Sequence, residues 1–574
     1  MSERDRQDNG IHHVRCAVQL ASGAGAPPPK LWLLAATLLL ALPAACGPAE
    51  AGGEGSAAIS SSVAMPPRVE ADGETLEGDY FGSAASQAVF KGIPYAMPPV
   101  GDLRWRPPQP REPRQGLQLA TTFPPACPQT DGNLGWYRSV ATGLGQDPSV
   151  VFGMPPVSED CLYVNVWTTN WQGETPQAVM VWIYGGGNTV GWSTEPPYLG
   201  HRLARRGVVV VSLNYRVNNF GFMAHPGLTA ESDNGASGNY GLLDQIAALQ
   251  WVQRNIAQFG GDPDRVTVFG ESAGGANVAF LMASPLAEGL FHRGISQSGG
   301  YPVRSFYDLE QAEERGRQLG EALGGKAASE DPAESLAAMR EASIEEILEV
   351  RLPRGSGGGG PNIDGWVVPH SLAETFASGR QHAVPLLIGF NANEDAMGAQ
   401  RELDAQRVEE TIRRTYGSLA DRAMEIYPVD GDEELADVLD RYSTNTTFGC
   451  SSKYITAATP QTGADAWLYF FTRVQPAGKL GAYHGAEIPY VFNTPDSWMP
   501  WDTTDAALAE AVGGYWTQFA ATGDPNRDGL PQWPAWEEST DAYMELGDRV
   551  RAGEELRQDA CELYNEALAM WAQE

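Results

Sequence analysis

From about residue 67 the chain alternates two hydrophobic patterns. Some short runs are apolar at nearly every position. AVMVWIYG (178–185), GVVVVSLNYR (207–216), RVTVFG (265–270) and VPLLIGFN (384–391) are of this kind. Such runs predict strands covered on both faces. In GLLDQIAALQWVQRNIAQFGG (241–261) large apolar residues recur at three- and four-residue steps. Leu243, Ile246, Leu249, Val252 and Ile256 then share one helical face, and Gly260 with Gly261 marks the stop. A strand, a helix and a strand in that order imply a crossover in a mainly parallel sheet. Residues 308–350 and 404–442, rich in Glu, Ala, Leu and Arg, predict surface helices added to this core. GSGGGG (355–360) predicts a short flexible loop. Neither a second core nor a solenoid-like repeat is visible, so one large domain is expected.

Composition and the chain's ends alter that picture in a few places. The chain has 574 residues, and 42% apolar content is ordinary for one that buries a large core. Asp plus Glu number 72 against 39 Lys plus Arg, a net charge of −33. That balance argues against nucleic acid or an anionic membrane as partner and predicts a solvated acidic surface. Near the N-terminus, Arg15 and Lys30 precede LWLLAATLLLAL (31–42), too short to span a bilayer but right for an export signal. PAAC (43–46) resembles a bacterial lipobox, with Pro43 where Leu is usual, which makes Cys46 a lipidation candidate. Residues 1–46 thus read as a signal segment and 47–66 as a flexible tether. Residues 67–574 form the folded domain. The expected location is the periplasm or outer membrane, with secretion as the alternative. Membrane contact is expected only through the lipid anchor.

Export matters for the remaining cysteines, Cys127, Cys161, Cys450 and Cys561. An even number in an oxidising compartment predicts two disulfides, but spacing leaves three pairings open. None lies in a Cys/His metal pattern, so no metal is expected.

The candidate chemistry starts at Gly270-Glu271-Ser272-Ala273-Gly274. This G-x-S-x-G joins an apolar strand to the apolar helical stretch ESAGGANVAFLMA, the context of a nucleophile elbow in α/β hydrolases. The turn strains the serine backbone, and glycines two positions away relieve the clashes. A serine needs a base. His12 and His13 lie in the leader, and His201, His225, His292, His370 and His382 have no companion motif. His484 follows the strand-like ADAWLYFF (464–471) in YHGAEIPYVF. In this fold the order is serine, acid, histidine. Glu394 and Asp395 both follow the predicted strand 384–391, and order alone leaves either open.

VWIYGGGNTVG (181–191) raises three readings: a phosphate cradle, an oxyanion site or a plain turn. Trp192 stands where a P-loop needs Lys, and Val190 where a dinucleotide fingerprint needs its last glycine.

Over about residues 67–574 the chain resembles the type-B carboxylesterases, the family that includes cholinesterases. The resemblance rests on FKGIPYAMPPVGDLRWRPPQP (90–110), SEDCLYVNVW (158–167), VWIYGGG (181–187) and NYRVNNFGF (214–222). It continues through residues 238–275, ISQSG (295–299), HGAEIPYVF (484–492) and TGDPN (522–526). It implies an α/β-hydrolase fold: a large, mostly parallel sheet covered by helices, with an N-terminal extension and inserted surface helices. It implies hydrolysis of a small-molecule carboxylic ester substrate through an acyl-enzyme, without cofactor. Ser272 matches the nucleophile and His484 the base. Gly389, Asn391 and Glu394 match the pattern around the acid, which favours Glu394 over Asp395. Gly186, Gly187 and Ala273 match the oxyanion donors. Cys127 matches as partner of Cys161, and Cys450, in the region of the strand before His484, as partner of Cys561 in a C-terminal helix. Lactones, polyesters or thioesters suit the same triad, and some family members are adhesion proteins without one.

Three departures bear on specificity. Val151 stands where cholinesterases carry the Trp that binds choline, and PNIDG (361–365) is preceded by glycines rather than aromatics. Both argue against choline esters and suggest a wider or more mobile acyl site, so bulky or varied esters with little preference for charged alcohols are expected. Asn188 replaces an aromatic residue after the third glycine and is expected to add a polar contact in the pocket.

Overall fold

The computed structural model describes residues 65–300, 303, 307–352, 360–397, 403–476 and 478–571. The signal segment with Cys46, the tether up to residue 64, and residues 355–359 of the glycine loop lie outside them.

The continuous apolar runs become strands buried on both faces. Val209–Leu213 and Leu386–Asn391 are buried at every residue, and Gln177–Ile183 at all but its first. Eleven strands build one sheet: β1 (Asp79–Tyr80), β2 (Ala88–Pro94), β3 (Tyr163–Thr168), β4 (Gln177–Ile183), β5 (Val209–Leu213) and β6 (Gly261–Glu271), then β7 (Arg293–Gln297), β8 (Leu386–Asn391), β9 (Ala466–Phe471), β10 (Tyr543–Leu546) and β11 (Val550–Gly553). Their order across the sheet is β11-β10-β9-β8-β7-β6-β4-β5-β3-β2-β1. Neighbours from β10 to β5 run parallel. The pairs at both edges run antiparallel. The sheet is therefore mixed, with a parallel centre. A small second sheet joins Arg68–Ala71, Glu74–Glu77 and Leu117–Leu119.

The predicted crossover helix runs Tyr240–Asn255 and buries Leu243, Ile246, Leu249 and Val252. It ends before Gly260 because a short 3-10 turn, Ile256–Phe259, follows; Gly260 then stops the chain at φ 80°. The acidic stretches fold as helices, Leu309–Leu323, Pro332–Glu341 and Ile344–Glu349 in one, Ala405–Tyr416, Ala420–Ile426 and Leu435–Ser443 in the other. Side-chain caps close several of their ends, among them the reciprocal pairs Asp308 with Gln311 and Ser343 with Glu346.

Among the described residues two disulfides form, Cys127–Cys161 and Cys450–Cys561. The first closes the loop that carries helix α1 (Gly132–Gly143). Cys450 is the first residue of a helix, Cys450–Ala458, that leads towards β9, rather than part of the strand region. Both bridges are compatible with an exported protein. Among the described residues no helix is long and apolar enough to cross a membrane.

The parallel centre places the candidate groups. Gly185–Gly187 follow β4, Ser272 follows β6, Ser298 follows β7, Glu394 follows β8 and His484 follows β9. These five strands are neighbours in the sheet, so their carboxyl ends open onto one crevice.

Candidate active site

Ser272 sits between β6 and helix α2 (Ala273–Ala283) with φ 56° and ψ −123°. A non-glycine residue in that region stores roughly 1–3 kcal/mol of strain. The surroundings hold it there. Its N–H donates to the Gln297 carbonyl at 2.8 Å, and its own carbonyl accepts from the Ala276 N–H at 2.9 Å. The flanking glycines are required by packing. A Cβ on Gly270 would lie 2.6 Å from the Ile183 carbonyl oxygen, and one on Gly274 would collide with the same oxygen. The elbow is thus pressed against the end of β4.

His484 is gripped from the other side. Its Nδ1 lies 2.6 Å from Oε2 of Glu394, and its ring packs 4.8 Å from that of Phe448. The other oxygen of Glu394 accepts from the Ser298 hydroxyl at 2.6 Å and the Asn391 N–H at 2.7 Å. Three partners therefore fix one buried carboxylate. Asp395 turns elsewhere, its N–H donating to Asp440 at 2.8 Å. Glu394, not Asp395, is the acid that meets the histidine.

The far ring nitrogen of His484 faces a second carboxylate. Nε2 lies 3.2 Å from Oε1 of Glu271, an oxygen without a hydrogen bond. Among the described residues no hydrogen bond joins Ser272 to His484; such contacts commonly tighten only when substrate is bound. Glu487 is buried nearby, accepting from Asn391 at 2.6 Å and Gln297 at 2.9 Å. One imidazole thus sits among several buried carboxylates. Burial opposes protonation of His484, but Glu271 and Glu394 outweigh it and raise its pKa. Burial likewise raises the pKa of Glu271, with the neighbouring carboxylates adding to the effect against the pull of His484.

The glycine loop forms the third wall. Gly186 and Gly187 adopt φ 97° and 64°, and a Cβ on Gly186 would strike the Val190 carbonyl. Among the described residues the N–H groups of Gly186, Gly187 and Ala273 donate to no protein acceptor. A Cβ on Gly185 would lie 3.0 Å from that of Ser272, so loop and serine are in contact range. Two clamps set the loop's shape. Gln129 bonds both backbone groups of Gly191, at 2.7 and 2.8 Å. Glu195, fully buried, accepts from the Trp192 N–H at 3.0 Å, the Tyr137 hydroxyl at 2.6 Å and Asn133 at 2.8 Å. Glu195 therefore ties α1 to the loop.

Asn188 differs from expectation. Its Oδ1 accepts from Asn277 at 2.9 Å and Tyr215 at 3.2 Å, and its Nδ2 donates to Asn277 at 3.3 Å. The amide is engaged inward and shapes the loop. Val151, within the loop closed by Cys127–Cys161, packs against the small cluster of Ala126, Leu134 and Trp192. Besides Phe448, Trp136 of α1 reaches the histidine segment; its ring would lie 3.3 Å from a Cβ on Gly485.

Sequence reasoning missed Glu271, Ser298, Glu195 and Trp136 as site residues. Glu271 and Ser298 stand inside stretches that were singled out, GESAG and ISQSG, but nothing in those stretches reveals their partners. Trp136 and Glu195 carry no signal. Among the described residues no cluster of His, Cys, Asp and Glu could hold a metal ion.

A model of the carboxylesterase family matches residues 66–564. Fumonisin B1 esterase of Sphingopyxis macrogoltabida is 36% identical over 494 residues, covering 84% of this chain and 87% of that protein. Liver carboxylesterase 1 of Oryctolagus cuniculus is 32% identical over 538 residues, covering 86% and 91%. A solved PNB esterase is 30% identical, covers 87% of this chain and 99% of its own, and superposes with a TM-score of 0.73.

Proposed function

The chain belongs to the carboxylesterase family, has the α/β-hydrolase fold and is a carboxylic ester hydrolase; from that premise we propose that it works through an acyl-enzyme formed on Ser272. The supporting observation is the 2.6 Å contact of Glu394 with His484 at the crevice that also holds the strained Ser272. His484 takes the serine proton as the hydroxyl attacks the ester carbonyl, then gives it to the departing alcohol. Glu394 holds the imidazole in the tautomer with its proton on Nδ1 and stabilises it once charged. The N–H groups of Gly186, Gly187 and Ala273 receive the oxyanion, each donor being worth about 10²–10³ in rate. Water then attacks the acyl-enzyme by the reverse proton path, with His484 as base.

Ser272→Ala tested beside wild type on short- and medium-chain nitrophenyl esters decides the matter. The variant is expected to lose at least about 10⁴-fold in kcat. Equal turnover by the two proteins would remove Ser272 from the mechanism.

A further inference from the structure

The oxyanion loop is held from behind by residues outside the triad and the donor set. The carbonyl of Gly186 and the N–H of Gly187 belong to one planar trans peptide and point opposite ways. That carbonyl accepts from the N–H groups of Thr189 and Val190 at 3.0 and 3.1 Å. The direction of the Gly187 N–H is therefore set by where residues 189 and 190 lie. Gly191, at φ 113°, folds the chain back against the start of the loop; a Cβ there would lie 2.7 Å from the Gly185 carbonyl oxygen. Residues 191 and 192 thus back the turn, and both are anchored from the loop closed by Cys127–Cys161. Gln129 takes both backbone groups of Gly191. Oε1 of Glu195 accepts from the Trp192 N–H and from Asn133 of α1, while Oε2 accepts from the Tyr137 hydroxyl. Glu195 is fully buried and these three donors are neutral. Taking a carboxylate out of water is costly. It offers what an amide cannot, two oxygens that only accept, facing three donors.

We propose that Glu195, with Gln129 beside it, is a positioning residue for catalysis: by fixing Trp192 to α1 it holds the Gly186–Gly187 peptide at the angle that points its N–H at the oxyanion. This rests on the proposed acyl-enzyme at Ser272 and on Gly187 as an oxyanion donor. Glu195 acts through the loop and not on substrate. Its effect therefore falls on the transition state, where negative charge develops on the carbonyl oxygen, and spares the binding of an uncharged ester. Loosening the anchor leaves the donor in place but badly aimed.

Two ketones of nearly the same shape read that difference as inhibitors of nitrophenyl butyrate hydrolysis. With hexyl trifluoromethyl ketone the serine oxygen bonds the carbonyl carbon, the C=O electron pair moves to oxygen and the serine proton passes to His484, which leaves an oxyanion. Hexyl methyl ketone binds without that step. The assay is run at about pH 8, above the value of about 7 to which burial raises the Glu195 carboxyl against its hydrogen-bond donors. Glu195→Gln is expected to lower kcat/KM about 10- to 100-fold and to cut the trifluoromethyl ketone's advantage over the methyl ketone by the same factor. The affinity of the methyl ketone itself is expected to stay within about 2-fold of wild type. Gln129→Ala, which frees Gly191 from the other anchor, is expected to show the same pattern and carries the test if Glu195→Gln does not fold. An unchanged advantage in either folded variant would overturn the proposal. So would an equal loss of affinity for both ketones, which is what general damage to the pocket gives. Ser272→Ala separates the premise from the proposal. If the advantage persists in Ser272→Ala, the serine assignment fails and the positioning role with it. If it vanishes there and is unchanged in Glu195→Gln, the positioning role alone fails.

Discussion

The two sides of His484 are built differently. On the Nδ1 side, Glu394 is close, at 2.6 Å, and both of its oxygens are held, by His484, Ser298 and Asn391. On the Nε2 side, Glu271 is further, at 3.2 Å, and the oxygen that faces the ring has no hydrogen bond. A carboxylate locked by several donors fixes orientation. One that meets the ring by charge alone sets the free energy of protonation without fixing geometry. In the proposed mechanism the first side fixes which tautomer reacts, and both carboxylates set the pH at which the base is free, the second by charge alone.

That contrast can be broken most forcefully at Glu394. Glu394→Gln removes the charge and presents the wrong hydrogen-bonding partner to Nδ1–H; kcat is expected to fall about 10⁴-fold with little change in KM. A loss below about 10-fold in steady-state kinetics would show that the locked side does not orient the base.

Glu271→Gln should instead move the pH profile. It removes a negative charge that favours protonated His484, so the pKa of the histidine falls. With the neutral imidazole as the proposed active form, the acid limb of kcat/KM is expected to shift to lower pH by about one unit, a tenfold change on that limb. An unmoved limb would mean that Glu271 carries no charge against the ring while the enzyme works.

The smallest expected effect is at Ser298, which touches the acid and not the base. Ser298→Ala leaves Glu394 its contacts with His484 and Asn391 and is expected to lower kcat about 2- to 10-fold without moving the acid limb. A shift of that limb as large as the one expected for Glu271→Gln would erase the distinction between the two sides.

The same contrast explains what could be read from sequence. The elbow was legible because its causes are local: Gly270 and Gly274 are demanded by contact with Ile183 at the strand end. The central strands were legible because burial on both faces leaves continuous apolar runs. Glu394 and His484 meet across 90 residues of sequence. Order narrowed the acid to two neighbours, and only the family pattern chose between them. Glu271 stood in plain view beside the serine, yet its approach to His484 depends on β6 and β9 lying in one sheet, which spacing does not encode. Ser298 and Glu195 act through such distant pairings too. Asn188 was misjudged because its environment is set by Tyr215 and Asn277, from β5's end and from α2, rather than by its neighbours in the loop.

The central claim is that Ser272 is the nucleophile served by this histidine. Its most direct test is covalent: the wild-type protein is treated with a fluorophosphonate, digested, and mapped by mass spectrometry. One phosphonyl adduct on Ser272 is predicted, with activity lost in proportion to labelling. Full inactivation with the adduct on another residue, or full activity with Ser272 labelled, would contradict it.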